Sequence, residues 1–426
     1  MSRAAPKSAN RRQVFAWCLY DWANSAFPTV IITFVFAAYY TKAVAVDTVT
    51  GTADWGYAMS ASAFVVAIAG PVFGAIADHS GRRKPWLATF TALCVVASAC
   101  LWFVRPDPAD ALWALAVAGF ANVCFEICMV FYNAMLPGLV GGARIGRVSG
   151  WGWGLGYAGG LACLVVVLFG LVETPTPLFG LAKQGSENIR AAAPMVAVWY
   201  AVFSLPLFAF VADTPASGLS PVAALRSGIM ELKKTLASLR SYGPITRFLI
   251  ARMIYTDGIN TLFAFGGIYA AGTFGMDFAE LITFAIAMNV SAGLGAAAFG
   301  WIDDWMGPKK TVMIALAGLI VLGSGLLLVE SKDLFWILGV GLGLFVGPAQ
   351  AASRSMMARL APPEIATEMF GLYAFSGKAT AFLGPALLGA VTLAFDSQRA
   401  GMATVVVFFG VGAALLARVP DIPSSR

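Results

Sequence analysis

The chain has 426 residues, of which 59% are hydrophobic and 12% charged, about half the charged share of a soluble globular protein. A single core cannot hide that much apolar surface, so the composition excludes a soluble domain and implies a membrane protein. The net charge of +6 has no soluble basic domain to occupy, which excludes a nucleic-acid partner and makes the charge a signal for insertion and lipid contact.

Twelve apolar runs follow one another, each about 20 residues long, the length at which a helix rising about 1.5 Å per residue crosses a hydrocarbon core of about 30 Å. They begin near Val14, Trp55, Pro85, Leu112, Val148, Met195, Thr246, Phe278, Thr311, Leu334, Glu368 and Met402. Their many Gly and Pro are tolerated because neighbouring helices satisfy freed backbone groups. The basic arm before the first run resembles a signal peptide, but the run is too long and no small-residue cleavage site follows, so it is expected to stay as helix one.

Helix one carries Asp21 and Asn24, three apart and therefore on one face. The connection after helix two holds Gly74, Asp78, Gly81, Arg83 and Lys84. Helix four carries Glu126 between Cys124 and Cys128. All six cysteines fall inside spans and the single histidine, His79, lies in a loop, so neither a disulfide framework nor a metal site is expected. In helix five, Gly154-Leu155-Gly156-Tyr157-Ala158-Gly159 has the spacing of a dinucleotide fingerprint, but no strand precedes it, and close helix packing is the expected use.

Residues 213–245 read as a linker between two units, 1–212 and 246–426. Leu225, Ile229, Leu232, Leu236 and Leu239 form one face of an amphipathic helix, with Arg226, Lys233, Lys234 and Arg240 on others, expected to lie on the inner leaflet and tether the halves. Helix seven then carries Arg252, Asp257 and Asn260. The connection after helix eight holds Gly300, Asp304, Gly307, Lys309 and Lys310, helix ten holds Gln350 and Arg354, and helix eleven holds Lys378. Gly377-Lys378 lacks the Ser or Thr and the glycine spacing of a phosphate loop, so ATP-driven pumping is not expected and a gradient should supply the driving force.

Two repeats organise these residues. Each of the five loop positions from Gly74 to Lys84 recurs 226 residues later, from Gly300 to Lys310, a coincidence of type and spacing that marks a duplicated six-helix unit. Each Asp stands where it can cap a helix or meet a neighbour's cation, and the two basic residues are expected to face anionic lipid. A tight turn explains one such loop but not the same spacing twice, so both are read as conformational gates. Asp21 and Asn24 likewise match Asp257 and Asn260 at an offset of 236, the first outer loop being ten residues longer. Of the 28 Lys and Arg, 20 fall on the N-terminal arm, the even connections and the C-terminus and 6 on the opposite side, which places both termini in the cytoplasm.

The duplicated loop resembles the signature of the major facilitator superfamily, with His79 where that family usually has Arg or Lys. A narrower resemblance rests on Tyr20-Asp21-Trp22-Ala23-Asn24-Ser25-Ala26-Phe27, Tyr132-Asn133-Ala134 with Pro137, and Gly146-Arg147-Val148-Ser149-Gly150. Gln350, Ser353-Arg354-Ser355, Phe370-Gly371-Leu372-Tyr373 and Gly384-Pro385 extend it. Together these are similar to the branch that holds the autophagy-linked vacuolar amino-acid effluxers and their bacterial relatives. Helix four carries Glu126 in place of the Arg-containing motif of drug antiporters, which argues against multidrug export.

The resemblance implies an all-α membrane protein of twelve transmembrane helices in two pseudo-symmetric six-helix bundles, and solute efflux with amino acids as a candidate class. It also implies that helices one, four, seven and ten line a central cavity. That makes Asp21, Asn24, Glu126, Asp257, Asn260 and Gln350 candidates for a solute or ion pathway. Lys378 joins them because a charge at mid-bilayer costs about 2.5–3.5 kcal/mol and needs a partner, Glu126 or Asp257. An ion pair that merely holds helices together fits the same residues. The expected protein is a monomer without cofactor that works by alternating access between the halves, its coupling ion a proton taken up by a carboxylate. A bacterial host would place it in the inner membrane. A solute sensor or a lipid flippase on the same fold remains open, whereas an enzyme is not expected, since no nucleophile has an evident base.

Overall fold

The computed structural model describes residues 10–215, 217, 221–237 and 242–421. Among these, ten helices are long and apolar enough to cross a membrane: Arg11–Val44, Thr48–Ser80, Lys84–Phe103, Pro108–Leu139, Gly142–Val172, Gln184–Phe210, Glu280–Met306, Pro308–Leu328, Lys332–Leu360 and Gln398–Ala417. Two more segments bring the series to twelve. Gly243–Phe274 is a continuous seventh span whose hydropathy is lowered by Arg247, Arg252 and Asp257. The eleventh is broken into Ala366–Ser376 and Leu383–Phe395. The chain is thus the expected all-helical, multi-pass membrane protein.

Polar residues fix the helix ends where the apolar pattern is silent. The second span starts at Thr48 rather than near Trp55, because the Asp47 carboxylate accepts from the amides of Val49 and Thr50 at 2.9 Å. Asp277 and Glu280 form a capping box at the start of the eighth span, and Lys332 donates to Glu280 at 2.7 Å. The matched glycines Gly81 and Gly307 leave the second and eighth spans with φ of 78° and 91°, a region L side chains avoid. Here the repeat has a direct backbone cause.

The halves meet along two seams, the fifth span on the eighth and the second on the eleventh. Glycine permits the contact. A methyl added at Gly371 would lie 2.5 Å from the Pro71 Cα, and one at Gly154 would lie 3.0 Å from the Gly293 carbonyl oxygen. The fingerprint-like run of the fifth span is therefore a packing surface, facing the eighth span at Gly154 and the first span at Gly156 and Gly160.

The linker helix, Pro221–Ala237, departs from the expected lipid-surface position: it packs on the second span. Gly228 lies on the Ala75–Ile76 backbone and Leu232 is buried, because a residue without Cβ lets the two backbones approach. Leu239 and Arg240 lie outside the described residues.

Candidate functional site

Three polar networks join the halves at the end of the bundle where the basic loops lie. In the first, the Asp78 carboxylate crosses from the second span to the start of the eleventh. It accepts from the Glu368 amide at 2.9 Å and the Thr367 hydroxyl at 2.5 Å, and it pairs with Arg83 at 3.1 Å. Arg83 is buried and also donates to Thr367 and to the Ala134 carbonyl.

The second network repeats the first across the pseudo-two-fold. Asp304, at the end of the eighth span, accepts from the amides of Gly146 at 2.8 Å and Arg147 at 3.2 Å at the start of the fifth. It pairs with Arg147 at 2.7 Å and with Arg359 at 3.1 Å, and Arg359 also reaches Asp303. Each loop Asp thus caps a helix of the opposite half, where a carboxylate meets orphan amides and the positive end of the helix dipole. The expectation that the paired cations face lipid is corrected here. Arg83 turns into the seam, Lys84 donates to the carbonyls of Phe208 and Val211, and Lys309 to that of Ala417, so these lysines cap the ends of the sixth and twelfth spans. Lys310 is exposed.

The third network lies deeper. Arg354 of the tenth span is 1% exposed and pairs with Asp21 of the first at 2.9 Å. Its other donors reach the Ser149 carbonyl at 2.6 Å, the Ser149 hydroxyl at 2.9 Å and Asn133 at 3.4 Å, while Ser149 donates to the Ala351 carbonyl. The guanidinium also sits 4.9 Å from the Trp17 ring centroid. The acceptors of this buried guanidinium all come from the opposite half, so the network spans the seam.

A fourth contact between the halves is of a different kind. Lys378 pairs with Glu126 of the fourth span at 2.7 Å, with 29% and 19% of the two side chains accessible. Lys378 lies in the turn Gly377–Phe382 that interrupts the eleventh span. Beside it, Arg252 donates to the Tyr373 carbonyl and the Ser376 hydroxyl at 2.7 Å. Broken helices of this kind place freed backbone groups and charge at the depth where transporters bind cargo.

The remaining candidates are dispersed. Asp257 is fully buried on the seventh span, its carboxylate without a cation among the described residues, with Thr380 of the broken span beside it. Asn260 is exposed and does not share this environment despite its spacing from Asp257. Asn24 is buried against the Met129 sulfur, and Gln350 accepts from the Tyr157 hydroxyl at 2.7 Å.

Toward the end opposite the basic loops lies a cavity of about 800 Å³ between the halves, with Thr29, Thr33, Lys42, Glu173 and Asn289 among its polar lining and none of the seven pathway candidates. Sequence reasoning missed Ser149, Arg147, Asp303, Arg359 and Thr367 as parts of the networks. A signal was present in the Asp303-Asp304 doublet and in the Arg147-Val148-Ser149-Gly150 run, but nothing in one sequence says which half each would face.

Comparison with known proteins agrees with this architecture. The family model described as vacuole effluxer Atg22 like matches residues 47–424. An uncharacterized MFS-type transporter, YxiO, of Bacillus subtilis is 29% identical, over 96% of this chain and 95% of its own. Autophagy-related protein 22 of Saccharomyces cerevisiae is 24% identical over 77% of this chain and 69% of its own, while the chain covers 47% of a relative from Penicillium rubens and 70% of one from Neosartorya fischeri. The structure of the proton:xylose symporter XylE superposes with a TM-score of 0.74 at 12% identity, covering 96% of both chains. Duplicated loops that cap across the halves, the twelve-span series and this match over most of the sequence place the chain in the Atg22-like family of major facilitator transporters.

Proposed function

We propose that this transporter exports a small polar solute, amino acids first among the candidates, by alternating access driven by a proton gradient. The carrying observation is that three networks seal the basic end while a cavity of about 800 Å³ lies toward the other. In this reading the basic end is cytoplasmic, since loops rich in Lys and Arg stay on that side. The unit 1–212 rocks against 246–426 about the linker 213–245, and the protein acts as a monomer.

The Glu126–Lys378 pair supports a zwitterionic cargo. Each half contributes one charge, both side chains are partly accessible, and an α-amino group and an α-carboxylate would exchange for the protein's own partners. Asp257 supports proton coupling as a carboxylate buried on the seventh span with no cation against it among the described residues.

The test is uptake by proteoliposomes of labelled amino acids, sugars and organic anions, with and without a pH gradient. Saturable amino-acid flux that requires the gradient is the expected result. Saturable flux confined to another solute class would overturn the cargo assignment, and flux indifferent to pH would overturn the coupling.

A further inference from the structure

A second large cavity, of about 1060 Å³, lies at the seam of the fifth and eighth spans and has no part in the reading above. Its walls are apolar and come from both halves: Trp151, Gly154 and Val165 on one side, Val290, Leu294 and Ala297 on the other. Trp151, Val165, Val290 and Leu294 are exposed, so the groove faces sideways from the bundle, where a membrane protein meets acyl chains. Along the fifth span the lining runs from Arg147 to Val165, about 27 Å at 1.5 Å per residue, more than the depth of one leaflet.

One end of this apolar groove is strongly cationic. Arg11, Arg144 and Arg147 all line it, and no acidic residue does. Arg11 and Arg144 are exposed and make no side-chain hydrogen bond or ion pair among the described residues. Arg147 commits its Nε to Asp304 at 2.7 Å, and its two Nη groups make no bond among the described residues. Three guanidinium groups with free donors above an apolar trough match a phosphodiester headgroup above acyl chains.

We propose that this groove binds an anionic phospholipid, with its phosphate among Arg11, Arg144 and Arg147 and an acyl chain along the fifth and eighth spans, and that the bound lipid holds the basic end closed. The second part rests on the alternating-access reading. The groove's two walls belong to opposite halves, so they face each other only while the seam is shut, and a ligand that needs both walls selects that state. The headgroup also contacts the arginine that pairs with Asp304, which couples lipid occupancy to the gate.

The first measurement is native mass spectrometry of the purified protein with phosphatidylglycerol or phosphatidylcholine. We expect tighter retention of phosphatidylglycerol, a fall of about tenfold in that affinity for Arg11→Gln/Arg144→Gln, and its recovery in Arg11→Lys/Arg144→Lys. Phosphatidylcholine retention should not change, and free inorganic phosphate should not compete at matched concentration. Equal loss of both lipids, no loss of either, or displacement by phosphate would overturn the site.

The second measurement is hydrogen exchange of residues 144–150 in nanodiscs of each lipid, reading the Gly146 and Arg147 amides that Asp304 holds. Phosphatidylglycerol should slow their exchange in the parent and not in the Gln variant. Binding without this protection would remove the gating role and leave the site. Neither readout involves flux, so a failed transport assignment and a failed lipid assignment are told apart.

Discussion

Replacing Asp21 by Asn tests whether the deep network is a latch or a permanent strut. In the closed arrangement, Asp21→Asn leaves the Arg354 guanidinium 1% exposed, with the Ser149 carbonyl, the Ser149 hydroxyl and Asn133 as neutral acceptors and no counter-charge. Removing one partner of a buried pair costs about 3–5 kcal/mol. The Trp17 face at 4.9 Å recovers part of that, which favours the lower figure. Under the proposed mechanism Arg354 meets water when the basic end opens, so the penalty falls on the closed state alone. About 3 kcal/mol is about a hundredfold, enough to bring a closed-to-open ratio of about 100 to 1 down to parity.

The assay is electron-electron resonance distance measurement in nanodiscs, with spin labels at the exposed positions Ala143 and Glu364 on the basic-end loops of opposite halves, in a variant free of the six cysteines. Asp21→Asn should add a long-distance population. Asp21→Asn/Arg354→Gln should restore much of the short one, because no charge then remains buried. An unchanged distribution in the single variant, or a double variant more open than the single, would refute the reasoning.

Three further outcomes follow from the same geometry. Glu126→Gln and Lys378→Met should each lower solute flux at least about tenfold, and the double variant should be no worse than the worse single, since one 2.7 Å pair is being removed either way; additive losses in a flux assay would deny that they act together. Asp257→Asn should abolish accumulation driven by a pH gradient while sparing solute exchange at equal pH, and loss of both would mean a packing role. Gly150→Val places a side chain against the Ala296 carbonyl oxygen and should destabilise the closed seam by about 1–3 kcal/mol, read as faster hydrogen exchange at residues 144–150.

What could be read from the chain and what could not divides along a physical line. Span number, the repeat and the paired loops are properties of local pattern: run length sets the helices, and a turn that must leave a helix with positive φ wants glycine, which is why Gly81 and Gly307 recur in register. That Lys378 needs a carboxylate partner, such as Glu126 or Asp257, could be read because mid-membrane charge must be matched, and Glu126 pairs with it. The rest depends on docking between halves. A single sequence does not state that Asp78 reaches Thr367 or that Asp304 reaches Gly146, pairs 289 and 158 residues apart. Nor does it say that the eleventh helix breaks at Lys378, since the glycine at 377 is no stronger a break signal than the glycines inside the unbroken spans. Asn260 is exposed where Asp257 is buried, because three-residue spacing fixes a helix face only to within a broad arc.

The contacts also explain why the matched aspartates Asp21 and Asp257 differ. Around the fourth and tenth spans the halves align at an offset of 221, which pairs Met135 with Met356, Leu139 with Leu360 and Gly150 with Gly371. The same offset pairs Gly146 with Thr367 and Arg147 with Glu368, the residues the two loop aspartates hold. It sets Asn133 against Arg354. The pseudo-two-fold therefore relates the Asp21–Arg354 pair to Asp257 and Asn133, and Asn133 is itself turned toward Arg354 at 3.4 Å. A second arginine at 133 would set two guanidinium groups against each other across the seam, so one cation serves the shared centre and its symmetry mate is neutral. Among the described residues Asp257 thus lacks a cation through residue identity rather than loose packing. Under the proposed mechanism the two sites divide the labour: the fixed cation of Arg354 closes one pair whenever the basic end shuts, and the vacancy opposite Asp257 leaves a carboxylate whose charge only a mobile cation from solution can balance.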